Sequence, residues 1–203
     1  GPDSESDSVQ QQIARWYWSG VFGELYGAAV ETRFARDFPE VVGMVRGESN
    51  LPITISDANF EARRLLTLRT RNSAAYKGIY ALLMRDGCLD FRTGQSIESQ
   101  TFFDDQIDIH HIFPERWCNA NEVSRDYYNS VINKTAISAR TNRIIGGRAP
   151  SDYLARLQSS AGVSRERMDE ILTLHRIDPE LIRTDEFWIF YDARGNAILD
   201  RIE

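Results

Sequence analysis

The sequence predicts a predominantly helical α+β protein in which a helical bundle surrounds a small core of mixed structure. Apolar residues recur at intervals of three and four along most of the chain, as in amphipathic helices. Within residues 101–111, Ile107 and Ile109 instead alternate with polar neighbours, which is typical of a half-buried strand. The chain has 203 residues, of which 42% are hydrophobic, so it is long enough to bury a substantial core.

The N-terminal half is predicted to be helical after a short tail. The first eight residues, GPDSESDS, are polar and acidic and begin with the Gly-Pro of a cleaved tag, so they are left outside the predicted fold. Residues 9–38 predict two helices or one bent helix, because glycines interrupt the apolar spacing. Ser56 or Asp57 is predicted to cap a further helix, and another is expected to end at Gly87. The segment CLDFRTGQSI is expected to form a short strand leading into a turn.

After the alternating strand, the sequence predicts a loop and then further helices. The loop contains Trp117 and Cys118, and a short helix is expected near SRDYYNSV. Ser138 is predicted to cap the helix SARTNRII, which ends at two glycines. Ser151 and Ser164 are predicted to cap the next two helices. We interpret residues 184–203 as a helix capped by Thr184-Asp185 rather than as a hairpin.

Composition excludes several classes of protein. No apolar run approaches the roughly 20 residues that span a bilayer, and the N-terminus lacks the features of a signal peptide, so we expect a cytoplasmic protein without a membrane partner. The two cysteines lack metal-site spacing and are expected to be reduced and structural. The net charge of -6 argues against a general nucleic-acid binder. One stretch, residues 133–148, departs from this balance: it has no acidic residue and carries four cations, Lys134, Arg140, Arg143 and Arg148.

Two of the chain's three histidines, His110 and His111, are adjacent at the end of the predicted strand. One interpretation is structural, with one histidine satisfied in the core or at a cap and the other facing solvent. The other is chemical, since neutral imidazole is both a common metal ligand and a base near pH 7. The third, His175, is interpreted as a capping residue at the C-terminus of a helix.

Two asparagines can complete a site with the histidines. Asn133 is predicted at the entry of the basic helix, and Asn142 lies nine residues later within it. Taken singly, the first suits a turn and the second a helix surface. Amide oxygens are also acceptable ligands for hard cations. With the histidines and the basic stretch, the two asparagines indicate a phosphodiester site.

The order His-His-Ile-Phe-Pro, Asn-Lys, and Asn-Arg resembles the HNH, or ββα-metal, nuclease motif, matched here by His110, His111, Pro114, Asn133 and Asn142. The segments DIHHIFP, NKTAISARTNRIIGGRAPSDYL and NSAAYKGIYALLMRDG are similar to the C-terminal nuclease region of GmrSD/SspE-like phage-restriction proteins. The likeness covers about residues 60 to 160.

The resemblance implies a role for each matched residue. It makes His111 the general base, Asn133 the residue that braces the loop and orients the base, and His110 and Asn142 the ligands of Mg²⁺ or Mn²⁺. The four cations of the basic stretch would contact DNA phosphates. The pattern departs from many HNH domains, which have an aspartate at the first position and a histidine at the last. Asp108 is either a residue that supports His110 or an exposed strand residue.

With one base and one metal position, the chain is expected to nick double-stranded DNA and to leave 5'-phosphate and 3'-hydroxyl ends. The resemblance implies a role in the restriction of phage or foreign DNA. It implies an HNH core at residues 96–150, flanked by helical regions at 9–95 and 151–203 and a tail at 1–8. An N-terminal nucleotide-hydrolysing sensor domain of the same protein is the expected partner. The alternatives are an inactive DNA-binding module of the same fold and a helical partner-binding domain with structural histidines.

Overall fold

The computed structural model describes residues 6–48, 51–97 and 107–203. Within these ranges the protein is a predominantly helical α+β structure with a small antiparallel sheet, as predicted. No helix in these ranges is both long and apolar enough to cross a membrane. The helices are α1 Asp7–Phe22, α2 Val30–Val45, α3 Ile53–Asp57, α4 Arg64–Thr67, α5 Ala74–Arg85, α6 Glu115–Ala120, α7 Arg125–Tyr128, α8 Ala139–Ile145, α9 Pro150–Ala161, α10 Arg165–Leu174, α11 Pro179–Ile182 and α12 Phe187–Ile202, and the strands are β1 Ile107–His111 and β2 Lys134–Ser138.

The chain forms two compact units. The first comprises Gly1–Glu61 and Arg71–Gly78, and the second comprises Ala62–Thr70 and Ile79–Glu203. Residues 107–203 therefore belong to one unit, which includes both the end of the predicted nuclease core and the C-terminal helices. The functional boundaries predicted at residues 96 and 150 stay predictions.

A buried carboxylate links the segments of the first unit. Asp37 on α2 is fully buried, and its Oδ2 accepts hydrogen bonds from Trp16 Nε1 at 3.2 Å and Thr54 Oγ1 at 2.6 Å. The hydroxyl of Tyr26 donates to the same oxygen. These bonds lower the pKa of Asp37 although its burial acts in the opposite direction. The charge is thereby kept, and it ties α1, α2 and α3 together.

The second unit contains a two-stranded antiparallel sheet followed by a helix. In the sheet, Ile107 lies opposite Ser138, His110 opposite Thr135 and His111 opposite Lys134. The chain passes directly from β2 into α8, which contacts both strands. The order is therefore strand, strand, helix, with the paired histidines at the end of the first strand.

Arg194 on α12 holds the backbone next to this sheet. It is 1% exposed, and its Nη1 donates to the carbonyl oxygen of Lys134 at 3.0 Å and to those of Val131, at 3.3 Å, and Ile132. Its Nε donates to the carbonyl of His175 at 3.1 Å. Burial lowers its pKa to about 10, so the guanidinium remains charged at neutral pH. A buried cation thus fixes the 3-10 turn Val131–Asn133 and the start of β2.

Most of the helical predictions are confirmed. Two helices, α1 and α2, occupy the region predicted as two helices or one bent helix. Helix α5 is followed by Gly87, whose φ is 83°. Ser138 and Ser164 cap α8 and α10 through their side chains. The C-terminal segment is helical, as expected.

Several local predictions in the N-terminal half are wrong. Ser6 caps α1, which begins at Asp7, so the excluded tail includes the start of a helix. Ser56 and Asp57 end α3 instead of capping a later helix, because α3 begins directly after Pro52, whose fixed φ suits a helix start. CLDFRTGQSI forms a tight turn closed by one bridge between Leu89 and Ser96, rather than a strand.

The C-terminal half also contains corrections. Trp117 and Cys118 lie in α6, not in a loop. Ala149 occupies the cap position of α9, and Ser151 lies in its first turn, where its hydroxyl donates to Asp185 at 2.5 Å. The cap position of α12 is Glu186, one residue after the predicted pair. The part of the predicted strand at residues 101–106 lies outside the described residues.

Candidate functional site

The candidate site forms where β1 ends. His111 is half-buried, and its Nε2 lies 3.3 Å from Oδ1 of Asn129, the residue that follows α7. The ring of Tyr128 stands edge-on to the imidazole, with 5.8 Å between the ring centres. An amide oxygen accepts a hydrogen bond, so this contact places the ring proton on Nε2 and leaves the lone pair on Nδ1.

The surroundings of His111 favour the neutral imidazole. Burial lowers its pKa from the ordinary value, and the positive charge of Lys134 and the neighbouring His110 act in the same direction. The contact with Asn129 and the charge of Glu115 partly oppose this shift. His111 is therefore unprotonated at neutral pH and able to accept a proton.

Asn133 braces the chain immediately after His111. Its side chain is fully buried, with Oδ1 accepting the N–H of Phe113 and Nδ2 donating to the carbonyl of Phe113, each at 2.9 Å. Nδ2 also donates to the carbonyl of Tyr128 at 2.9 Å. Its backbone carbonyl accepts the N–H of Ile112 at 2.9 Å. One asparagine thus joins the segments that carry His111 and Asn129.

Helix α9 supports the same segment from another side. The hydroxyl of Tyr153, which is fully buried, donates to the carbonyl of Ile112 at 3.0 Å. Ile112 and Phe113 are themselves buried. The backbone that follows His111 is therefore held by buried hydrogen bonds from Asn133 and Tyr153.

Asn142 lies half-buried on α8, the helix that packs on both strands. Among the described residues, no hydrogen bond engages its side-chain amide, in contrast to Asn133. The hydroxyl oxygen of Ser138 accepts the N–H of Thr141 at 3.2 Å, which fixes the first turn of the helix. Asn142 therefore differs from Asn133 in having an amide that can bind a ligand.

A second buried carboxylate fixes the start of α8. Asp90 is 3% exposed, and it binds the Ser138 N–H through Oδ2 and the Thr141 hydroxyl through Oδ1, each at 2.8 Å. These bonds and those from its own turn lower its pKa despite burial. Nothing in the motif indicates Asp90, because it lies 48 residues before Ser138.

The four predicted DNA contacts do not have equivalent surroundings. Arg140 and Arg143 are exposed on α8. Arg148 is half-buried, and its Nη1 donates to the carbonyl of Ile144 at 3.1 Å. Lys134 is 8% exposed, and its Nζ donates to the carbonyl of Arg69 at 3.0 Å.

Lys134 therefore differs from the freely exposed cation expected of a phosphate contact. Burial lowers its pKa to about 8, and the positive charge of Arg69 contributes. The ammonium is still mostly charged at neutral pH, and it influences His111. Arg140 and Arg143 remain the accessible cations of the basic stretch.

His175 is not a simple helix cap. It follows α10 at the C-cap position, but its side chain is fully buried. Nε2 lies 2.8 Å from the carbonyl oxygen of Leu89, and Nδ1 lies 2.5 Å from Oγ1 of Thr135. The imidazole thus supports β2 from the core rather than binding the last carbonyls of its own helix.

The ligand set at the candidate metal position is small. Among the described residues, no three His, Cys, Asp or Glu side chains are grouped so that they could hold an ion. The predicted pair, His110 and Asn142, combines an imidazole with an amide oxygen and contains no carboxylate. An imidazole nitrogen and an amide oxygen are both ligand types that divalent ions accept in proteins.

Comparison with known proteins leaves the family open. The sequence is 30% identical to the uncharacterized protein MJ0686 of Methanocaldococcus jannaschii over 216 aligned positions, which include 94% of this chain and 36% of that protein. The chain thus spans about a third of the length of this relative. Neither the known protein families nor the solved structures yield a match.

Proposed function

We propose that the protein is a metal-dependent DNA endonuclease of the HNH type, which nicks double-stranded DNA. The observation that carries this proposal is the strand–strand–helix unit with a neutral His111 at the end of its first strand and Asn142 on its helix. This arrangement supports the proposal because a side chain that can accept a proton ends a strand and an amide that can bind a ligand lies on the helix that contacts that strand.

Each residue contributes a separate part of the reaction. Nδ1 of His111 takes a proton from the attacking water, while Asn129 holds Nε2 and so fixes the orientation of the ring. Asn133 keeps the segment after His111 in place. His110 and Asn142 would hold Mg²⁺ or Mn²⁺, which, when bound, neutralises a phosphate oxygen and stabilises the departing 3'-oxygen. Hydrolysis of this kind leaves 5'-phosphate and 3'-hydroxyl ends.

The exposed cations supply affinity for DNA without reading sequence. Arg140 and Arg143 are exposed on the helix that carries Asn142, which supports a role for both in contacting phosphates next to the cleaved bond. Lys134 adds positive charge near the DNA although its ammonium is buried and hydrogen-bonded to the Arg69 carbonyl. Arg148 also adds positive charge, while its guanidinium donates to the Ile144 carbonyl at the end of α8. Phosphate contacts of this kind position a duplex but do not select among base pairs.

The biological setting is part of the same proposal. A nickase of this kind suits the restriction of phage or foreign DNA in the cytoplasm, with a nucleotide-hydrolysing sensor domain in the full-length protein. That the chain matches only 36% of MJ0686 is compatible with such an arrangement. An inactive DNA-binding module and a partner-binding domain with structural histidines are the competing proposals.

A plasmid cleavage assay tests the proposal directly. The 203-residue chain is expected to nick supercoiled plasmid with Mg²⁺ or Mn²⁺, and EDTA is expected to stop the reaction. His111→Ala should abolish nicking while circular dichroism shows an intact fold. Asn119→Ala, at an exposed position on α6, is the matched control and should cleave normally.

The same assay separates the alternatives. DNA binding without cleavage by the unaltered chain would favour the inactive module, and the absence of both would favour the partner-binding domain. Cleavage at the unaltered rate by His111→Ala would overturn the mechanism.

A further inference from the structure

Two aromatic side chains lie exposed and in contact on the surface of the second unit. Tyr127 at the end of α7 is 37% exposed, and Trp188 at the start of α12 is 50% exposed. Their rings meet edge to face, with centres 4.8 Å apart and planes at 82°. Each ring therefore keeps part of its aromatic surface exposed, where a flat ligand can contact it.

This aromatic platform, Tyr127 with Trp188, rests on a rigid base. Tyr191 lies beneath Tyr127, with 5.8 Å between ring centres, and its hydroxyl is 2.7 Å from that of the buried Ser130. Trp188 also contacts the ring of the buried Phe187 at 5.2 Å. The platform therefore keeps its orientation, and little entropy is lost when a ligand binds to it.

The platform is directly joined to the candidate site. Tyr128 and Asn129, the two residues after Tyr127, are the ones that contact His111. One edge of the aromatic surface, Tyr127, thus directly precedes the two residues that contact the proposed base.

A cation lies beside the platform. The guanidinium of Arg69 pairs with Asp126, the residue before Tyr127, at 2.9 Å. Both side chains are substantially exposed, at 38% and 69%, so the pair is weak, and a phosphate can replace the carboxylate. The carbonyl oxygen of Arg69 accepts a hydrogen bond from Nζ of Lys134 at 3.0 Å, and Lys134 lies opposite His111 in the sheet.

We propose that the aromatic platform binds the bases of an unpaired DNA strand next to the cleaved phosphodiester bond, with Arg69 holding a phosphate of that strand. This inference rests on the proposed nuclease function and adds to its duplex substrate a contact with bases that become unpaired beside the cleaved bond. Stacking is available only to unpaired bases, because a duplex presents phosphates and groove edges to a flat side chain. The combination of exposed aromatic surface and an adjacent cation is the chemistry by which proteins bind single strands.

Binding is tested without cleavage, with EDTA present, using the full chain and a fluorescently labelled oligothymidine of about 12 nucleotides. Trp188→Ala is expected to weaken this binding by roughly 5- to 100-fold, and Trp188→Phe, which keeps an aromatic face, should restore most of it. An abasic strand of equal length, which keeps the phosphates, should bind Trp188→Ala and the unaltered chain equally. Ile189→Ala is the matched control, because Ile189 is 51% exposed on the same helix but has no aromatic face.

The outcomes separate this inference from the proposed function. If Trp188→Ala binds the strand as the unaltered chain does while a duplex of equal length is bound and cleaved, the platform proposal is wrong and the nuclease proposal stands. Equal losses in Trp188→Ala and Ile189→Ala would indicate a general apolar surface for a protein partner and would overturn base stacking. Failure to bind any DNA would overturn both proposals.

Discussion

Oδ2 of Asp90 accepts the backbone N–H of Ser138 at 2.8 Å, and Oδ1 accepts the hydroxyl of Thr141 at the same distance. Ser138 is the N-cap residue of α8, and Thr141 lies in its first turn. A single buried carboxylate therefore sets the position of the helix that carries Asn142. The carboxylate belongs to a turn far away in sequence, so the candidate site depends on the fold of the whole second unit.

Asp90→Asn is expected to destabilise the protein and to weaken its response to metal. An amide has only one acceptor oxygen, so either the Ser138 N–H or the Thr141 hydroxyl would face the NH₂ group of the introduced amide and lose its hydrogen bond. This loss should cost about 1–3 kcal/mol in the free energy of unfolding. The start of α8 would shift, and cleavage would then require more Mn²⁺. Urea unfolding and Mn²⁺ titrations measure the two effects. Asp200→Asn, at an exposed position, is the control, and matching curves for both variants would contradict the role of Asp90.

The two asparagines of the site are expected to respond differently to substitution. Asn142→Ala removes a proposed ligand but no hydrogen bond among the described residues, so the fold should survive and activity should partly return at high Mn²⁺. Asn133→Ala leaves the N–H and the carbonyl of Phe113 without their partner, so stability should fall and activity should not return. Activity against Mn²⁺ concentration and the unfolding midpoint test both variants. Equal recovery would show that the roles are wrongly divided.

Charge reversal on α8 is expected to weaken DNA binding irrespective of sequence. Arg143 is exposed, and each phosphate contact that is lost should reduce the slope of log affinity against log salt by about 0.9. Arg143→Glu tests this in a salt titration, with Arg156→Glu on α9 as a control of equal charge change. If Arg143→Glu leaves the slope unchanged, Arg143 makes no phosphate contact and the basic stretch is an ordinary solvated helix surface.

The sequence predicted the elements whose signals are local. The polar caps Ser138 and Ser164 and the alternating β1 were recognised because each follows from a few neighbouring residues. The residue pattern predicts no strand at residues 134–138, because the first four residues of β2 are all buried and the segment shows no alternation. Helix α6 was missed for a related reason: Pro114 starts it without any side-chain cap.

The site residues divide along the same line. The matched motif identifies His111 and Asn142 by spacing, whereas Asn129 has no partner within the motif and contacts His111 only through the tertiary fold. Arg194 and His175 were missed as supports of the site because a buried cation and a buried imidazole are normally unfavourable. Both side chains form hydrogen bonds with backbone carbonyls of residues distant in sequence, and these bonds offset the cost of burial. No sequence pattern indicates such contacts.

The buried His175 predicts a loss of stability in mild acid. Burial lowers its pKa from 6.5 to about 4, so between these values the unfolded chain binds a proton that the folded chain does not. Stability is therefore fully present above pH 6.5 and falls as the pH approaches 4, by an amount on the order of 3 kcal/mol. Urea unfolding across this range measures the slope. His175→Gln should be less stable near neutral pH and should flatten the curve, whereas an unchanged slope would mean that other groups cause it.

The isolated chain is expected to cut one strand of a duplex at a time. One chain supplies one His111 and one proposed metal position, so one phosphate is attacked per encounter. A break in both strands requires a second site on the opposite strand.

The contacts proposed for Arg140 and Arg143 are to phosphates, so nicks should fall with little sequence preference. Supercoiled plasmid should therefore become open circle first, and linear DNA should appear late, as random nicks fall opposite one another. Gel analysis of a time course tests this, with His111→Ala purified in parallel to exclude a contaminating nuclease. Linear DNA that forms from the start, at one defined position or in proportion to the square of the enzyme concentration, would mean that the chain reads sequence or acts as a dimer, and the single-site proposal would then fail.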